Sequence, residues 1–386
     1  MPTHLNPQEN LVLTDRAGVI ENSHIIHAAI VDFAPTNENK TKTTLLFAVG
    51  NPHRITLARS AAKPIQTLAI LETGAGQRYG FDDADVAPMC ASHSSEGRHV
   101  ARARGMVCKV NGYLDLDLGK TDLKCGGHAA LSETVNRAWI REGFVPTAMY
   151  NNCSGKHVGM VAGARALGLG LGDGGGDWRE YHLSNHPMQV RVRRVFGEVC
   201  GLGSGELRWG LDGCDLPAPA CSLVRLGGMY ARLAGAADTE MGAGVSETDA
   251  EQSRTRYLHR IFHAMARYPE YVGGEGRFCT ELARTFQGGG GGLIGKLGAD
   301  GCYGLAIRES EQTRRLGTRG AIGVAVKVED GSIDILYAAV MEILEQLQIG
   351  TQEMRDALGR FHRPKICNTV GAVTGQVSPL FRVRAV

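Results

Sequence analysis

The chain has 386 residues, 43% hydrophobic and 21% charged, with a formal net charge of +2. That charge gives no reason to expect nucleic acid or an anionic membrane surface as a partner, and no apolar run approaches the roughly 20 residues that span a bilayer. Met1–Asn10 is polar, with neither a basic segment nor an apolar one after it, so the expected location is cytoplasmic.

Strands open the chain. Leu11 and Leu13 are followed by His24–Phe33, rich in Ile, Val and Ala, then a polar loop from Pro35 to Thr44 and a further strand at Leu45–Val49. From Ser60 the apolar spacing turns helical: Ile65, Leu68, Ala69 and Leu71 share a face, and Pro64 suits a first turn. Helical periods continue through Glu96–Val110, Lys156–Leu167, Met188–Cys200, Leu223–Leu233 and Arg254–Ala266. Strands return at Tyr303–Ile307 and Val324–Val328, Asp330-Gly331 reads as a hairpin turn, and Leu336, Val340, Ile343, Leu344 and Leu347 mark an amphipathic helix. Glycine-rich runs at Gly172–Gly176 and Gly288–Gly292 mark loops. Strands at both ends with helices between them predict an α+β architecture. Residues 1–59 and 290–386 form one antiparallel sheet with flanking helices, and 60–289 form a largely helical region.

Ten cysteines in a chain of this length, with no export signal in view, read as reduced thiols rather than a disulfide framework. Five short segments could do chemistry. In Ser60-Ala61-Ala62-Lys63 the three-residue spacing brings a lysine amine toward a serine hydroxyl, and a neutral amine there would activate the serine as a nucleophile. Ser92, in Ala91-Ser92-His93-Ser94-Ser95, and Lys296-Leu297-Gly298 follow in the order used by serine β-lactamases: S-x-x-K, a serine motif, then K-x-G near a strand. Cys153-Ser154-Gly155-Lys156-His157 and Asp212-Gly213-Cys214 supply two thiols and a third donor for a tetrahedral zinc set. Ligand chemistry alone selects His157 as that third donor. Gly290–Lys296 fits the opening of a phosphate-binding loop, but Leu297 stands where a magnesium-holding hydroxyl is required.

These segments resemble the rhizobial-type (class 3) L-asparaginases, an asparaginase II family. RAGVIENSH (Arg16–His24), ARSAAKP (Ala58–Pro64), CASHSSE (Cys90–Glu96) and CGGH (Cys125–His128) are similar to family motifs. So are NCSGKH (Asn152–His157), HPMQ (His186–Gln189), DGC (Asp212–Cys214) and GKLGAD (Gly295–Asp300). The similarity runs from about Leu11 to Ser378. It implies a serine β-lactamase-like fold, a homodimer, and hydrolysis of L-asparagine to L-aspartate and ammonia. Two adjacent pairs, Ser60 with Lys63 and Ser92 with Lys296, would do the chemistry, with Arg59, His157 and Asp212 on the substrate. The implied zinc ligands are Cys153, Lys156 and Cys214, so resemblance and ligand chemistry name different third donors. Ala17 stands where the family usually has glycine, and the loops at 35–44, 171–178 and 288–292 are longer than typical. A β-lactam or peptidoglycan enzyme, or a zinc-dependent binding protein, are the alternatives.

Overall fold

The computed structural model describes residues 10–35, 41–111, 122–168, 176–203, 205–239, 250–287 and 292–386. Residues 172–175 and 288–291, most of the two glycine-rich runs, lie outside these. The chain divides into two compact units, one of residues 1–61, 220–238 and 281–386, the other of 62–219 and 239–280.

The first unit is a curled antiparallel sheet of nine strands: β1 (Leu11–Arg16), β2 (Val19–Pro35), β3 (Thr41–Val49), β4 (Leu293–Gly298), β5 (Cys302–Ile307), β6 (Ala321–Val328), β7 (Lys365–Cys367), β8 (Val373–Pro379) and β9 (Arg384–Ala385). Their order is β7-β8-β1-β2-β6-β5-β4, with β3 pairing β2 and β9. The long β2 explains the curl: Val19–Ile25 pair with β1, whereas Ile26–Phe33 pair with β6. Ala17 and Gly18 turn β1 into β2, both at positive φ (50° and 84°), as a two-residue hairpin matched to strand twist requires.

Every residue of β5 and β6 is buried, so these central strands are covered on both faces. The helix Leu223–Ala237 lies on β2, β5 and β6, and the helix Ile333–Gln346 packs against β6 and β8. Small residues permit the first contact: a Cβ on Gly323 would sit 1.9 Å from the Gly227 carbonyl oxygen and 2.2 Å from the Ala231 nitrogen. Helix and strand backbones therefore touch directly. This corrects one expectation, because the Leu223 helix belongs with the sheet and not with the helical middle. A second correction concerns Asp330-Gly331, which makes no hairpin. Gly331 (φ 82°) turns the chain from β6 into the helix, and Asp330 Oδ1 accepts the Ser332 N–H at 2.9 Å. That helix is also buried continuously from Ile335 to Leu344, so its apolar surface is not confined to one face.

The second unit is mostly helical: Lys63–Leu71, Asp83–Met89, Gly97–Asn111, Glu133–Glu142, Ser154–Ala166, Pro187–Cys200 and Ala250–Arg267. Ser154–Ala166 is buried from Ser154 to Ala164. Gly155 and Gly159 allow this, since a Cβ at either would lie 2.5 Å from Pro88 O or 2.9 Å from Ile70 Cδ1. Lys156 and His157 are thereby carried into the interior on a helix with no solvent face over that span. No helix among the described residues is long and apolar enough to cross a membrane.

Candidate active site

The first unit holds Arg59, Ser60 and Lys296. A short strand, Ile55–Leu57, pairs with Ala220–Ser222 and leads into a 3₁₀ turn at Arg59–Ala62. Tyr230 Oη donates to the Ala61 carbonyl at 2.6 Å, and Gly304 leaves room for the Tyr230 ring, 1.8 Å from where a Cβ would be. The strand bearing Lys296 closes against the same turn: a Cβ on Gly298 would lie 2.5 Å from Ala58 O and 3.4 Å from Ala61 Cβ. Arg59 takes φ 50°, a left-handed conformation that costs a non-glycine residue energy and is concentrated at functional sites. Its guanidinium pairs with Asp300 of the GKLGAD segment. The Ser60 hydroxyl is half-buried and makes no hydrogen bond among the described residues. Lys296 is 1% exposed, and its Nζ donates to Leu297 O at 2.7 Å.

The second unit gathers the remaining candidates. Lys63 opens its helix fully buried, and its Nζ reaches Ala91 O, Ser92 Oγ (3.1 Å) and Cys153 Sγ (3.0 Å). Lys63 is thus bonded to the serine that the resemblance pairs with Lys296. Ser92 is held by its backbone N–H, which donates to Val272 O at 3.0 Å. The next residue, His93, meets Ser154 Oγ through Nε2 at 3.0 Å, accepts the Ser95 N–H at Nδ1, and stacks on His99 at 4.9 Å. Burial holds the His93 pKa well below its ordinary value, with the neighbouring His99 and Lys63 charges adding to it.

Cys153, Lys156 and Cys214 converge. Lys156 Nζ lies 3.0 Å from Cys214 Sγ, while Cys153 Sγ accepts from Lys63 Nζ at 3.0 Å and donates to Asn152 Oδ1 at 2.8 Å. The neighbouring Cys153 thiol, and then the Lys156 charge, draw Cys214 down to about 5 against its burial, while the same pairing pushes Cys153 up to about 12. Burial alone would lower Lys156, yet the negative charge on Cys214 and Cys153 raises it above its ordinary value. His157 points elsewhere: its Nδ1 meets Tyr181 Oη at 2.6 Å. Burial holds its pKa well below the usual range. Asp212 is half-buried beside this group, its Oδ1 accepting the Gly213 N–H at 2.9 Å. Among the described residues no group of three or more His, Cys, Asp or Glu side chains is arranged to hold a metal ion. A metal would therefore draw on Lys156, and the donors present, two soft sulfurs and an amine, suit zinc once that amine gives up its proton.

Four residues of this environment escape the sequence reading. Cys125 is a third buried thiol, raised by burial and then by the charge of Cys153 and Cys214; its CGGH segment was visible as a motif, but its partners lie far along the chain. His93 and Ser154 sit beside residues already singled out. Tyr181 is fully buried and carries no sequence signal at all.

A family model described as L-asparaginase II matches residues 12–379. No curated protein matches the chain at a significant level.

Proposed function

The chain belongs to the L-asparaginase II family, and we propose from that premise that it hydrolyses the side-chain amide of L-asparagine, releasing L-aspartate and ammonia through a serine nucleophile served by lysine. The observation that carries this reading is Lys63, a fully buried amine 3.1 Å from the hydroxyl of Ser92 and three residues after Ser60 in the chain. A lysine placed inside the protein against a serine is the arrangement Ser-Lys acyl-transfer chemistry needs.

In the proposed reaction Lys63 takes the proton of Ser60, whose Oγ bonds to the side-chain carbonyl carbon of the substrate. The C–N bond then breaks, and the departing nitrogen receives the proton that Lys63 took, passed through Ser92 with Lys296, and leaves as ammonia. Water attacks the resulting aspartyl ester, frees aspartate and returns the proton to Ser60. Backbone N–H groups at the 59–62 turn would stabilise the oxyanion. Arg59, His157 and Asp212 would hold the substrate. Zinc, bound by Cys153, Lys156 and Cys214, would supply positive charge that positions a substrate carboxylate. A homodimer is part of the same reading, and light scattering reads it out.

Ammonia release from asparagine by the purified protein, measured against glutamine and a chromogenic β-lactam, tests the reading. Turnover of asparagine supports it. No ammonia from asparagine, or hydrolysis of the β-lactam alone, sinks it.

A further inference from the structure

We propose that Tyr181 is a positioning residue that holds His157 as an Nε2–H donor, so that the ligand group meeting His157 is an oxygen acceptor, a carboxylate or carbonyl of an amino-acid amide. Tyr181 Oη has two hydrogen-bond partners among the described residues: the backbone nitrogen of Lys124 at 2.8 Å and His157 Nδ1 at 2.6 Å. An amide N–H only donates, so Oη accepts from Lys124. The phenol has one proton to give, and of these two neighbours only Nδ1 can accept it.

A neutral imidazole with a lone pair on Nδ1 carries its proton on Nε2. That Nε2 is buried and has no partner among the described residues. Buried donors are almost always paired, and a fully buried N–H without a partner among the described residues calls for an acceptor supplied by a ligand. The ring has little freedom to turn away: His157 is completely buried, stands edge-on to the Tyr181 ring at 5.6 Å, and belongs to the buried span of its helix. A proton on Nε2 also removes the lone pair with which that nitrogen could bind a metal. The sulfur-facing role thus falls to Lys156, whose Nζ is already 3.0 Å from Cys214 Sγ.

The identity of the ligand rests on the function proposed above; the tautomer does not. Two-bond proton–nitrogen correlation spectra of the nitrogen-labelled full chain report which nitrogen of each histidine is protonated, and the His157 signals are those absent from a His157→Gln variant. We expect Nε2–H for His157 in the unaltered chain and a shift of population toward Nδ1–H in Tyr181→Phe. Tyr181→Phe should raise KM for asparagine about tenfold, the loss of one hydrogen bond to a charged or strongly polar group, with kcat changed less. In the His157→Gln background, where the side-chain amide supplies an N–H unaided, the same tyrosine change should leave KM where it was. His157 protonated on Nδ1 in the unaltered chain, or a tautomer unmoved by Tyr181→Phe, would overturn the proposal. The first of these needs no variant to fold. Absent asparagine turnover with the Nε2–H tautomer intact would count against the proposed reaction and the amide ligand, leaving the role of Tyr181 standing.

Discussion

Alanine at Ser60 and at Ser92 should separate chemistry from stability. The Ser60 hydroxyl makes no hydrogen bond among the described residues and is half-buried. Removing it should change unfolding free energy by no more than about 0.5 kcal/mol, as for substitutions that touch no packed or bonded feature. Ser92 is 8% exposed and accepts from the Lys63 amine at 3.1 Å. Deleting that acceptor leaves a buried donor short of a partner, at a cost of about 1–3 kcal/mol. Activity should fall steeply in both. Ser60→Ala should lose more than about a hundredfold in ammonia release, because removing a nucleophile usually costs several orders of magnitude. Ser92→Ala should lose about 10²–10⁴, the range for a proton-transfer group. Urea titrations and coupled ammonia assays on the same preparations supply both numbers. A Ser60→Ala protein with more than about a hundredth of the original turnover would refute the nucleophile assignment. A Ser92→Ala protein as stable as its parent would mean that the Lys63 bond contributes nothing to the fold.

Lys63→Met should match Ser60→Ala in lost turnover; if Lys296→Ala abolishes activity while Lys63→Met keeps it, the base is reassigned. Zinc should be stoichiometric by elemental analysis, fall as pH drops because its ligands must be deprotonated, and vanish in a Cys153→Ser, Cys214→Ser double variant; metal unchanged in that variant would discard the site. Lys156→Met should weaken zinc sharply while His157→Asn leaves it in place. Burial holds the pKa values of His93 and His157 well below the ordinary value, so these side chains stay neutral while the unfolded chain takes up protons below about pH 6.5. Stability should be level above that pH and fall as pH drops through it. Between about pH 7 and about pH 5.5 the loss is about 1 kcal/mol per histidine, and His93→Asn should reduce the slope by one proton. An unchanged urea midpoint over that range would contradict it. Ala17→Gly should stabilise the protein by about 0.5–1 kcal/mol, because Ala17 sits at φ 50°; a lower melting temperature would count against this.

The elements with strong local signals were readable in advance. His24–Phe33 falls inside β2, and the helical spacing at Ile65–Leu71 and Met188–Cys200 corresponds to the helices Lys63–Leu71 and Pro187–Cys200. What failed was tertiary. The Leu223 helix has ordinary helical spacing, and nothing local says that Gly227 and Gly323 will let it lie on the sheet. Asp330-Gly331 has the composition of a hairpin, yet the chain beyond it is helical, so a left-handed glycine serves a strand-to-helix turn instead. β7, β8 and β9 were missed because they are short and half-exposed, with little alternation to detect. Around the site, Ser60, Lys63, Cys153 and Cys214 could be named from motifs, but their bonding could not. The approach of Lys63 to Ser92 and Cys153 depends on segments 29 and 90 residues away. Tyr181 matters only through one phenolic proton, which composition and spacing cannot express.

The strand pairing also has a meaning in time. Leu13 lies opposite Ser378, and Ala48 opposite Arg384. On a ribosome that emits the chain from its first residue, β1 to β3 emerge with their edges open and must wait for nearly the whole protein before β8 and β9 exist to pair with them. Residues 62–219 and 239–280 are complete well before that moment. Loop closure over such a separation is slow, and unpaired strand edges held open in the meantime invite aggregation. Synthesis at a lower temperature, or with holding chaperones in excess, should therefore raise the soluble yield more than any single stabilising substitution. Deletion of Val373–Val386 should leave the helical unit protected from proteolysis while β1–β3 become sensitive.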